Sequence, residues 1–269
     1  MTAAPQLLHE RRGSQNLWFT QVSKGNRSKS NLTELNATDA LDTGFMSHND
    51  WVAHGVRYGF ISKTISKIKP NNVLDVGCGR FPLLNYIWKN RSVDAFDYTG
   101  LDLRANRKWF DHLKWKKGNV SLVQADIVLD KIQLGLYQLV VCTEVFEHVP
   151  TDKAELFVKR LYDWTAPDGT VIFSTPNAGV SDSTAENHKD ADGKSREWKY
   201  KDKLALMKKV GFKVQDTFGT FIAKRRIPAE FWNENTDKIS QFLPHAMFTV
   251  FCAAGYPAES NNALFVMTK

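Results

Sequence analysis

Hydrophobic positions change rhythm along the chain and divide it into a polar beginning, an alternating middle and an aromatic end. Residues 1–45 are rich in Ser, Asn and Thr, carry basic pairs such as Arg11-Arg12, and hold only scattered apolar residues. Such a stretch has little apolar surface to offset its ordering entropy, so residues 1–50 read as a flexible arm or irregular cap, with Trp18 and Phe19 as candidates to dock. From Trp51 a helical period begins. Val52, Val56, Phe60, Ile61, Ile65 and Ile68 form one apolar face, and Pro70 with Asn71-Asn72 ends the helix.

Beyond it, short apolar runs alternate with amphipathic stretches. The runs Val73–Val76, Tyr98–Leu103, Val120–Gln124, Leu139–Cys142 and Thr170–Ser174 predict strands; Leu83–Lys89, Asn106–Leu113 and Lys153–Trp164 predict helical connections. Strands alternating with helices imply an α/β fold with right-handed crossovers and a largely parallel sheet covered on both faces. Further on, Lys203–Val210 predicts a helix closed by Gly211, and Phe212–Ile222 and Ala263–Met267 predict two more strands. The aromatic segment between those strands, about 223–262, predicts a helical insertion into one domain spanning 51–269.

Composition narrows the class. No run approaches the roughly 20 apolar residues needed to span a bilayer, and Met1 to Arg12 lack the apolar core of a secretion signal, so a cytoplasmic protein without a membrane role is expected. Cys78, Cys142 and Cys252 are too scattered for a disulfide framework or a zinc knuckle. Thirty-six Lys and Arg against 29 Asp and Glu give a net charge of +7, which admits an anionic partner such as nucleic acid and equally a solvated lysine-rich surface.

The strongest chemical signal is Val73-Leu74-Asp75-Val76-Gly77-Cys78-Gly79-Arg80: a buried strand ending in an acid, then two glycines, then a turn into a helix. Ligands of open α/β sheets bind beyond the carboxyl ends of strands, where glycines admit positive φ and close approach. A dinucleotide-binding turn needs a third glycine; Arg80-Phe81-Pro82 stands there instead, and an acid before the glycines suits a cationic amino group better than a pyrophosphate. Asp102 and Asp126 end the next two strands, where one could accept ribose hydroxyls and the other read an adenine amino group; either acid alone could equally cap a turn.

These segments, together with Tyr137–Val149 (which contains Cys142-Thr143-Glu144-Val145-Phe146-Glu147-His148), Pro167–Asn177 and Gly211-Phe212-Lys213-Val214, resemble the class I S-adenosylmethionine-dependent methyltransferases, especially the branch with ubiquinone-type O-methyltransferases. The resemblance spans roughly Trp51 to Ile222 plus the final strand. It implies a doubly wound, Rossmann-like, mostly parallel seven-stranded sheet with helices on both faces and an antiparallel last strand. It also implies roles. Asp75, Gly77 and Gly79 would hold the methionine part of S-adenosylmethionine, Asp102 the ribose and Asp126 the adenine amino group. Leu103 and Ile127 would flank the ring, and Cys142 and Thr143 would border the sulfonium and acceptor. Phe81 departs from the small residue common in that glycine turn.

The expected reaction is methyl transfer to an oxygen or nitrogen of a small-molecule acceptor, with His148 as candidate general base because it follows the fourth predicted strand beside the cleft. The alternative rests on Glu144, Glu147, His148 and, further on, His188. That run resembles the small-RNA 2′-O-methyltransferases, which hold a divalent metal with two glutamates and two histidines, and it would make the chain a metal-assisted RNA or other nucleic-acid methyltransferase. A non-catalytic scaffold of the same fold is disfavoured by the retained acids and glycines.

Overall fold

The computed structural model describes residues 6–12, 15–21, 49–88, 93–180, 188–191 and 193–269. Nine strands form one sheet: β1 (Gln6–Arg12), β2 (Gln15–Gln21), β3 (Asn72–Val76), β4 (Asp97–Asp102), β5 (Val120–Gln124), β6 (Tyr137–Thr143), β7 (Thr165–Pro176), β8 (Lys213–Phe221) and β9 (Asn262–Thr268). Their spatial order is β1-β2-β5-β4-β3-β6-β7-β9-β8. All neighbours from β2 to β7 are parallel, whereas β9 runs antiparallel to both β7 and β8, and β1 antiparallel to β2.

The seven strands from β3 to β9 follow the expected pattern; the two extra strands come from the expected arm. In β2, Gln15, Leu17 and Phe19 are buried while Asn16, Trp18 and Thr20 between them are not, a period of two that sets one face on the core. Leu17 pairs with Val120 and Phe19 with Leu122, so β2 covers the β5 edge. The remaining residues of that arm, 1–5, 13–14 and 22–48, lie outside the described residues.

Among the described residues six helices accompany the sheet: α1 (Asn49–Ile68), α2 (Pro82–Trp88), α3 (Ala154–Trp164), α4 (Tyr200–Val210), α5 (Glu234–Phe242) and α6 (His245–Ala253). Successive residues of β6 serve opposite faces. Leu139 and Val141 join α1 and α2 side chains such as Ile61, Ile65, Leu84 and Ile87; Val140 and Cys142 join α3 side chains such as Phe157 and Leu161. Continuous apolar runs in the sequence thus become strands buried on both sides. The α1 face is rotated from the expected stripe: Val52, Ala53, Tyr58, Ile61 and Ile65 are buried, while Val56 is 49% and Ile68 38% exposed.

The segment expected as a helix after β4 is a six-residue 3-10 turn, Arg107–His112, capped by the Asn106 side chain. Only Trp109, Phe110 and Leu113 are large apolar residues there, too few for an α-helical stripe. The insertion between β8 and β9 carries α5 and α6 after two 3-10 turns, Lys224–Arg226 and Ala229–Phe231, and α6 packs on α1 and β8. Among the described residues no helix is long and apolar enough to cross a membrane.

Candidate active site

The carboxyl ends of β3, β4, β5 and β6 form one rim, and the sequence-predicted residues collect along it. After β3, Gly77 (φ 76°) and Gly79 (φ 49°) take left-handed backbone angles. A Cβ on Gly77 would stand 2.2 Å from the Val145 Cγ2, so the turn and the segment after β6 touch through a glycine. The Asp102 carboxylate, at the end of β4, accepts from the Gly79 N–H (3.1 Å) and from the Arg104 N–H (2.8 Å).

Phe81, the departure from a small residue, points away from this rim. Its backbone is left-handed (φ 63°) and its ring is fully buried, stacked on Phe110 at 5.7 Å and edge-on to Tyr98 at 6.0 Å. The Tyr98 hydroxyl donates to Asp75 Oδ2 at 2.6 Å. Burial pushes the Asp75 carboxyl up to about 7, against the lowering effect of that hydrogen bond, with the Asp102 charge adding to the rise.

Further along the rim, Leu103 is exposed and Ile127 buried. Asp126 Oδ1 accepts from the Val128 and Leu129 N–H groups at 2.9 and 3.1 Å, an Asx turn after β5. Cys142 is fully buried at the end of β6, and burial together with the charges of Glu147, Asp75 and Glu144 drives its thiol pKa well up, so it is no nucleophile. Thr143 follows it, half-buried.

The residues after β6 form a polar cluster. Glu144 adopts φ 56° and accepts from the Ser174 hydroxyl (2.8 Å) and the Asn262 amide, with Arg57 Nη1 at 3.7 Å. Glu147, His148 and His188 each offer a ligand atom, all within 4.8 Å of one another; this is the one group able to hold a metal among the described residues, and Glu144 is not part of it. Glu147 is buried and accepts from the Thr175 hydroxyl at 3.0 Å; burial, with the Glu144 charge adding, raises its pKa. His148 is exposed, on the 3-10 turn Phe146–His148, and its ring meets His188 at 4.9 Å. With Glu147 buried, His148 exposed and His188 half-buried, the mixed oxygen and nitrogen donors suit a hard divalent ion reached from solvent.

Three residues of this region escape sequence patterns. Arg57, on α1, is 3% exposed; its Nη2 bonds the His54 ring at 2.8 Å, and its Nε is buried with no hydrogen-bond partner among the described residues. Its signal is a charged residue midway between Ala53 and Ile61, inside a buried stripe. Tyr98 is a strand aromatic whose hydroxyl reveals itself only through Asp75. Lys203, at the start of α4, is buried and donates to the Pro176 carbonyl at 2.7 Å; burial lowers its pKa to about 7 against the raising effect of Glu144, Glu147 and Glu197.

A mostly parallel sheet with this strand order and an acid–glycine turn at its switch point is the architecture of the class I S-adenosylmethionine-dependent methyltransferases. Residues 54–235 match the family described as methyltransferase domain, and the chain belongs to it. It is 30% identical over 128 residues to the ubiquinone biosynthesis O-methyltransferase of Pectobacterium atrosepticum, covering 45% of this chain and 49% of that protein. It is also 30% identical over 135 residues to the small RNA 2′-O-methyltransferase of Xenopus tropicalis, covering 45% of this chain and 36% of that protein. The chain spans about half the length, or less, of these curated relatives. The solved methyltransferase domain of bacterial CtHen1-C shares the fold with a TM-score of 0.52 and 22% identity, over 80% of this chain and 98% of that one.

Proposed function

We propose that the chain transfers the methyl group of S-adenosylmethionine to a hydroxyl oxygen of an acceptor lying over the ends of β6 and β7. The observation that carries this reading is the convergence of Glu147, His148 and His188 beside the acid–glycine turn, joined to it through the Gly77–Val145 contact.

The methionine end of the cofactor fits the groups present. Asp75 would pair with its ammonium, and the positive-φ glycines leave the backbone open to it. The unpartnered Nε of Arg57 suits its carboxylate. Asp102 would accept from the ribose and Asp126 from the adenine amino group, with Leu103 and Ile127 against the ring and Cys142 and Thr143 lining the path to the acceptor. S-adenosylmethionine supplies a strongly electrophilic methyl group, so the protein chiefly aligns the two partners and excludes water.

Glu147, His148 and His188 would hold a divalent cation such as Mg or Mn, which lowers the pKa of a bound hydroxyl and orients it. His148 is then a ligand instead of a free general base. Glu144 stays with Ser174, Asn262 and Arg57 as a bridge between the cofactor and metal ends of the cleft. The insertion after β8 supplies the acceptor wall: Arg226 bonds the carbonyl of Val180 in the loop after β7, and α6 packs on β8.

A hydroxyl-bearing small molecule is the first reading of the acceptor, in line with the ubiquinone-type relatives. A ribose hydroxyl of RNA is the second, favoured by the net charge of +7. Three buried thiols suit a reducing compartment such as the cytoplasm.

Calorimetric titration of S-adenosylmethionine into wild type and Asp102→Ala, each with Mg, Mn or chelator, tests the assignment. Binding lost in the variant supports the cofactor site, and methyl transfer that collapses on chelation supports the metal. Transfer indifferent to chelation returns His148 to the role of base. Salt-sensitive binding of oligoribonucleotides separates the RNA acceptor from a small molecule.

A further inference from the structure

The segment between His188 and Glu197 folds back on itself. Lys189 bridges Ser195 in antiparallel fashion, the Asp190 N–H donates to the Lys194 carbonyl at 2.8 Å, and the Arg196 N–H donates to the His188 carbonyl at 2.7 Å. His188 and Glu197, nine residues apart in sequence, thereby stand side by side, with Nδ1 and Oε1 at 3.0 Å. The fold is clipped to the β6 end of the cleft. Arg196 donates from Nε to Asp190 Oδ1 (2.8 Å) and from Nη1 to the His148 carbonyl (3.0 Å), and the Thr151 hydroxyl donates to Asp190 Oδ2 (2.6 Å). Glu197 itself is buried, and the neighbouring Trp198 ring packs on Phe146 at 5.8 Å.

We infer that Glu197 is a positioning residue. Its carboxylate accepts the hydrogen bond of the His188 Nδ1–H and so turns the Nε2 lone pair to the cluster with Glu147 and His148. This rests on the metal reading above and deepens it. An ionised carboxylate can only accept, so the ring nitrogen facing it must carry the proton of a neutral imidazole. The other nitrogen is then the ligating one, and the carboxylate behind the ring fixes the tautomer and the ring's orientation. Thr175 does the corresponding work for Glu147, because its hydroxyl donates to Oε2 and fixes which way that carboxylate turns. Two of the three ligands are thus held from behind by buried groups. A purely structural His188–Glu197 ion pair would need protons on both ring nitrogens, which leaves no lone pair for a cation.

The test titrates Mn2+ into the full chain by calorimetry, comparing wild type with Glu197→Leu and Glu197→Gln, and records the ring-nitrogen NMR shifts of His188 without metal. Circular dichroism checks that each variant folds. Glu197→Leu is expected to weaken Mn2+ binding about 10–100-fold. Glu197→Gln keeps an acceptor oxygen and should recover much of the loss. His188 should carry its proton on Nδ1 in wild type and lose that preference in Glu197→Leu. Unchanged Mn2+ affinity in folded Glu197→Leu overturns the inference, as does a wild-type His188 protonated on Nε2. If wild type itself takes no Mn2+, the metal reading falls, and the tautomer comparison decides alone: a preference that survives Glu197→Leu overturns the positioning role, and one that is lost upholds it.

Discussion

At Asp75 a carboxyl group is buried with a phenol as its donor, and its pKa rises to about 7 because burial outweighs the Tyr98 hydrogen bond. The unfolded chain releases this proton near the ordinary aspartate value of 3.8, so between there and about 7 the native state holds a proton that the unfolded state has lost. Stability of the cofactor-free protein therefore falls as pH rises through that window, by an amount on the order of 4 kcal/mol if this group acts alone. In the proposed role, pairing with the cofactor's ammonium would reverse the preference, since it needs the ionised carboxylate. Cofactor affinity is expected to weaken as pH drops below about 7, by up to tenfold per unit, and calorimetry across that range measures it. Tyr98→Phe removes the donor that favours ionisation and should shift the whole profile to higher pH; an unmoved profile would sink the account. Gly77→Ala meets both a left-handed φ and the Val145 methyl. It should cost roughly 1–3 kcal/mol in denaturant melts and abolish cofactor binding.

Among the elements, β2 shows how much a short strand can matter. Leu17 is 1% exposed and sits in the same apolar cluster as Trp115, Val120 and Leu122. Leu17→Ala should destabilise the protein by about 2–5 kcal/mol in a denaturant melt, whereas truncation in a mere arm would change nothing. The strands β3 to β7 were legible because buried parallel strands are continuous apolar runs that little else in a sequence imitates. The β1–β2 hairpin was not, because only Leu17 and Phe19 mark its buried face among Asn, Gln and Thr, and its meaning depends on an edge contributed by residues a hundred positions away. On α1, Val52, Ile61 and Ile65 are buried as the helical period predicts, whereas Ala53 and Tyr58 are buried in place of Val56 and Ile68, a choice that hydrophobicity alone does not make. Phe81 could be seen to depart from a small residue. That its ring dives into a stack with Phe110 follows from a positive φ that no periodicity encodes.

For the molecule as a whole, the gathering of Asp75, Asp102 and Asp126 along one rim was readable because they lie at the ends of three successive strands, which a parallel sheet brings to one edge. The polar cluster was half readable. Glu147 and His148 are neighbours in sequence, but His188 reaches them only through the folded-back segment and its Arg196 clip, so without the resemblance its partnership was invisible. Chelation should therefore act on the assembled cleft: methyl transfer is expected to fall by orders of magnitude with EDTA and return with Mn or Mg, while S-adenosylmethionine affinity stays nearly unchanged. A parallel loss of both would mean that the cation holds the fold instead of the acceptor. The position of β9 sets an order of events during synthesis. It lies between β7 and β8, so β8 has no sheet neighbour until residues 262–268 exist. Until then β8 can rest only on α1, α4 and α6, while β3 to β7 can already pair with one another. Pairing across that end of the sheet is therefore a late, long-range step, because β7 and β8 keep open edges until β9 comes between them.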